Sequence, residues 1–133
     1  MTPAQLRVVR GCAVFDLVVT GLMALPLTAG LFIAVLYATN GWLGGEAALP
    51  PFAAVQWLFL NIAGALGVLW AVARLIEPTR FLGLADAVGR ACVGGLILWH
   101  VFANGAPVVL LAFVLTEWLG TGMQWIVLRK AGP

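Results

Sequence analysis

The sequence predicts an all-α fold, an integral membrane four-helix bundle in one domain, arranged as two helical hairpins in parallel repeat. Three observations predict it. Of 133 residues, 63% are hydrophobic and 9% charged, with a mean hydropathy of +1.08, which excludes a water-soluble globular domain. The apolar residues fall in four blocks of the roughly 20 residues needed to cross about 30 Å of hydrocarbon, apolar all round and not on one stripe. The cations Arg7, Arg10, Arg74, Arg80, Arg90, Arg129 and Lys130 cluster at the N-terminus, the middle turn and the C-terminus. The other two loops carry none, so the positive-inside bias predicts cytoplasmic N- and C-termini, in a bacterial inner membrane.

The first span is expected over residues 8–36, within an apolar run that continues to Thr39 and is far longer than a signal-peptide core. Pro26 lacks a backbone donor and kinks or divides this helix. Asn40-Gly41, Gly44-Gly45 and Pro50-Pro51 mark a loop that holds Trp42, an outer-interface anchor. The second span is expected over residues 52–76, closed by Pro78, with Glu77 to Gly83 as a turn. A third over 84–103 ends in the hairpin signal Asn104-Gly-Ala-Pro107, and a fourth over 108–128 precedes Arg129 and Lys130.

The halves resemble each other. Arg10-Gly-Cys12 opens the first and Arg90-Ala-Cys92 the second; Trp70-Ala-Val-Ala-Arg74 closes the first and Trp125-Ile-Val-Leu-Arg129 the second. A proline follows the first helix of each half, Pro26 and Pro107, whereas residues 27–50 have no counterpart. Hairpins that begin and end on the same side are related by an axis along the membrane normal.

Polar groups inside spans cost free energy unless partnered, which makes them the candidate site. Glu117 lies roughly 18 Å along its helix from Arg129 and about 15 Å from Pro107, near the bilayer centre. It shares a helix face with Gly120, Thr121 and Gln124. Asn61 has a similar depth on the second span, about 15 Å from Pro51. His100 and Asn104 are i, i+4 on the third; Asp16 and Thr20 are i, i+4 on the first, with Asp16 about 9 Å from Arg10 and expected to pair with Arg90 or Arg10. Convergence of these faces would gather a carboxylate, an amide, an imidazole and a hydroxyl, a set able to bind a ligand or a proton. Each also has a structural reading, since interhelical hydrogen bonds of about 0.6 kcal/mol commonly hold membrane helices together.

No cofactor or metal is expected, because one histidine and two distant cysteines make neither a two-histidine haem site nor a conventional zinc site. The net charge of +2 follows from topology and predicts no nucleic-acid partner; the expected partner is the lipid bilayer. Small-residue stripes at Ala63, Gly67 and Ala71, and at Ala87, Ala91 and Gly95, allow close helix approach, within the bundle or in a homodimer or with another membrane protein. These features favour an accessory or scaffold membrane protein. A proton- or cation-coupled transport component using Glu117 is the alternative; a lipid or isoprenoid enzyme with Glu117 and His100 as acid and base ranks lower, for want of a catalytic motif.

Overall fold

A computed structural model of the chain describes residues 1–129, so Lys130 lies outside the described residues. Five α-helices make up the structure: α1 (Pro3–Ala24), α2 (Pro26–Trp42), α3 (Ala54–Ile76), α4 (Arg80–Asn104) and α5 (Leu111–Arg129). A single 3-10 turn, Val108–Leu110, precedes α5, and there is no strand among the described residues. Helices α3 and α4 and the stretch Val108–Arg129 are each long and apolar enough to cross a membrane; α1 and α2 make a fourth if the bent pair is one span.

Of the two outcomes expected at Pro26 within the span 8–36, a kink or a division, the structure shows a division into α1 and α2. The chain turns by 106° between α1 and α2, more than a right angle, so the two helices do not share an axis. The cause is local. Pro26 has no N–H to give the carbonyl of Leu22, and its ring pushes Leu25 out of the helical region, to φ −104° and ψ 133°. The carbonyls released by the break find other donors. Thr28 Oγ1 donates to Leu22 O at 2.7 Å, and Asn61 Nδ2 on α3 donates to Met23 O at 2.8 Å. An orphaned carbonyl away from water is costly, so these two bonds make the bend tolerable. Gly64, one turn beyond Asn61, lies against the backbone of Met23 and Ala24, where a Cβ would collide with main-chain atoms.

From the bend, α2 runs over one end of the bundle towards the α4–α5 connection. Phe32 meets Phe113 edge to face at 6.3 Å, and buried Asn40 fixes the far end, donating to Glu46 O at 3.0 Å and accepting from Val109 N at 3.1 Å. Trp42, the expected interface anchor, is 93% exposed there. The opposite, charged end is closed by backbone caps. Gln5 Nε2 donates to Val127 O at 3.1 Å and Arg80 Nε to Leu128 O at 2.9 Å, so α1, α4 and α5 are tied where α5 exposes its last carbonyls.

Helix α4 starts four residues earlier than the expected 84, because Thr79 caps it by accepting from Leu82 N at 3.1 Å. It ends at Gly105, whose φ of 67° suits a left-handed cap. Packing is pairwise: α1 lies along α3, α4 along α5, and α1 touches α5, whereas the backbones of consecutive α3 and α4 stay apart and meet through side chains. A cleft of about 250 Å³ runs between them.

The repeated motifs occupy unlike environments. Arg10 and Cys92 are exposed, whereas Arg90 and Cys12 are buried. Each closing tryptophan nevertheless carries the arginine four residues on over its ring, Arg74 at 5.5 Å from Trp70 and Arg129 at 4.1 Å from Trp125.

Candidate functional site

Where α1, α3, α4 and α5 converge, five ionisable side chains form one network. Its hub is Arg90, 5% exposed in the middle of α4. The guanidinium pairs with Asp16 on α1 through Nη2, with Asp86 one turn earlier through Nε at 3.0 Å, and with Glu117 on α5 through Nη1 at 3.1 Å. Nη2 also donates to the Cys12 carbonyl at 3.2 Å. Arg74, fully buried on α3, pairs with Asp16 at 2.5 Å and approaches Asp86 Oδ2 at 2.5 Å. Gly120 makes room for the hub: a Cβ there would stand 3.2 Å from Arg90 Cδ and Nη1.

Asp86 is the most heavily engaged carboxylate. Besides both arginines it accepts from Trp70 Nε1 at 2.8 Å and from Gln124 Nε2 at 2.7 Å. Gln124 is fully buried, and its Oε1 has no donor. Asp16 and Glu117 are the less enclosed members, with side chains 16% and 15% exposed. Both line the cleft between α3 and α4 together with Thr20, Trp70, Asp86 and Arg90. Charges withdrawn from water are costly unless paired and hydrogen-bonded, and the multiple contacts of each guanidinium supply that compensation.

The sequence-predicted residues divide accordingly. Asp16, Glu117 and Gln124 are brought together, and the expected Asp16–Arg90 pair forms, while Arg10 is exposed. Thr121 joins the same pair of helices, its hydroxyl lying 3.1 Å from Ala87 O and 2.9 Å from Glu117 O. Thr20 donates to Asp16 O at 2.7 Å and lines the cleft, its side chain filling the space over Gly67. Asn61 and His100 do not join Glu117, contrary to the expected convergence. Asn61 serves the α1–α2 break, and His100, exposed near the end of α4, is bonded to Asn104 on its own helix at 2.9 Å between Nδ1 and Nδ2.

Three members were misplaced or missed by sequence reasoning. Arg74 and Arg90 belong to the interior, not to an interfacial belt, and Asp86, at the start of the expected third span, was not singled out. The i, i+4 spacing of Asp86 and Arg90 was the available signal. Of the small-residue stripes, Ala71 and Ala87 are buried, Gly67 faces Thr20, and Ala63, Ala91 and Gly95 are exposed. Among the described residues, no three His, Cys, Asp or Glu side chains are grouped so as to hold a metal ion. Comparison with protein-family models, curated proteins and solved structures finds no match to this chain.

Proposed function

We propose that this chain is an accessory or scaffold protein of a cell membrane, a helical platform whose charged interior holds its own helices in register and whose outer faces dock another membrane protein. The observation that carries the reading is that Arg74 and Arg90 bind Asp16, Asp86 and Glu117 directly, so the interior charges engage one another across four helices. Such a network acts as a clamp and as a register device. The acid–base pairing needed by a membrane enzyme has less support, since His100 is exposed and bonded to Asn104.

On this reading α1 and α2 are one broken span, giving a four-helix bundle of four crossings. Arg7, Arg10, Arg80 and Arg129 are exposed at the charged end, which supports cytoplasmic termini, and the bacterial inner membrane is the proposed site. The exposed part of the small-residue stripes, Ala63, Ala91 and Gly95, offers a docking face.

Reconstitution tests the function. Vesicles holding the purified chain alone should show the same proton and alkali-cation flux as protein-free vesicles. A flux that appears with the chain and disappears in Glu117→Gln would replace the accessory reading with the coupled-transport one.

A further inference from the structure

We infer that the cleft between α3 and α4 receives a basic side chain, lysine or arginine, from a transmembrane helix of the partner, at the depth of Glu117. The inference rests on the accessory reading and names the chemistry of the partner. It starts from a charge count. Three carboxylates, Asp16, Asp86 and Glu117, are held by two guanidiniums, Arg74 and Arg90. With all three carboxylates ionised, one negative charge is unmatched among the described residues, in a region of low dielectric where a lone charge is expensive.

The shortage is also localised. Asp86 is 4% exposed and contacted by two arginines, a tryptophan and a glutamine, so it needs nothing further. Asp16 has two guanidinium partners and Glu117 has one, and these two carboxylates carry the residual exposure and face the cleft. Arg90 engages both through adjacent nitrogens, which holds them side by side. A third cation entering at that point makes three positive and three negative charges.

Shape agrees with charge. The cleft, about 250 Å³ and not enclosed, accommodates one long side chain and not a whole helix. Its walls are mostly apolar, suited to the methylene stem of lysine or arginine, while the charged head reaches the carboxylates. On the rim Gly89 is exposed, with no heavy atom within 4 Å of the position a Cβ would take, so a neighbouring backbone can come close. The backbones of α3 and α4 stand apart along the cleft and are joined at its charged floor by Trp70 and Arg74 bound to Asp86, so the space between them is already open to a side chain.

The test uses designed transmembrane peptides as the partner. The full chain is placed in phosphatidylcholine vesicles at neutral pH with a fluorophore-labelled polyleucine-alanine helix carrying one central lysine, or methionine at the same position. Energy transfer reads association. The lysine peptide should bind at least tenfold more tightly than the methionine peptide, and the preference should disappear in Glu117→Gln. Moving the lysine two turns towards either end of the peptide should also abolish it, a comparison that needs no variant of the chain. Equal binding of the lysine and methionine peptides, or a lysine preference indifferent to position, overturns the inference and assigns the missing charge to a bound proton or small cation. Neither result bears on vesicle flux, which decides the accessory reading separately.

Discussion

Replacing Arg90 by methionine keeps much of the side-chain volume and removes the only guanidinium that touches all three carboxylates. The cost can be worked from the contacts. Asp16 and Asp86 retain Arg74, but Glu117 loses its only ion-pair partner among the described residues and the Cys12 carbonyl loses a donor. Stranding one member of a buried pair costs about 3–5 kcal/mol, so Arg90→Met should lose at least that much. Glu117→Gln in the same chain removes the stranded charge and should recover about 1–3 kcal/mol, the usual size of coupling between contacting residues. Reversible unfolding in mixed micelles, followed by tryptophan fluorescence and circular dichroism, supplies the four corners of the cycle. The matching cycle between Arg74→Met and Glu117→Gln, which share no contact, should show weaker coupling. A loss of about 1 kcal/mol or less for Arg90→Met, the value of an exposed ion pair, would refute the buried hub, as would a cycle with no coupling.

Other expectations concern the bend and the residues outside the network. Gly64→Ala drives a Cβ into the backbone of Met23 and Ala24 and should cost about 1–3 kcal/mol. Gly95→Ala, with open space around it, should be neutral or stabilising by up to about 1 kcal/mol in the same unfolding assay. Asn61→Leu leaves the Met23 carbonyl without its donor and should cost on the order of 0.6–1.7 kcal/mol; an unchanged midpoint would show that the bend does not depend on this bond. His100→Ala should change stability by less than about 0.5 kcal/mol, because the imidazole is exposed and bonded within its own helix. A larger loss there would mean that the end of α4 is packed against something.

Hydropathy and proline position made α3, α4 and α5 legible to within a few residues, since length and apolar composition are properties of each segment alone. The angle at Pro26 was not legible. Proline marks where hydrogen bonding fails, while the direction taken afterwards is set by Asn61 and Gly64, which lie on another helix. The candidate site was readable in depth but not in azimuth. Asn61 and Glu117 have similar depths, yet which helix faces which depends on packing that no single segment encodes. Arg74 looked like an interfacial anchor because it ends a span beside Trp70, and a long cationic side chain can reach for water or turn inwards. The carboxylates of α1 and α4 decide in favour of the interior. Asp86 was lost through an error of a few residues in placing the start of α4: a helix begun at 84 leaves Asp86 at its mouth, whereas one begun at Arg80 carries it inside.

The separation of charges along the chain has a bearing on biogenesis. Asp16 is 58 residues ahead of Arg74 and 74 residues ahead of Arg90, so the first helix leaves the ribosome well before either counter-ion has been synthesised. An unneutralised aspartate opposes release of that helix into lipid. Stable insertion of that helix should therefore depend on the third and fourth helices, which bring Arg74 and Arg90.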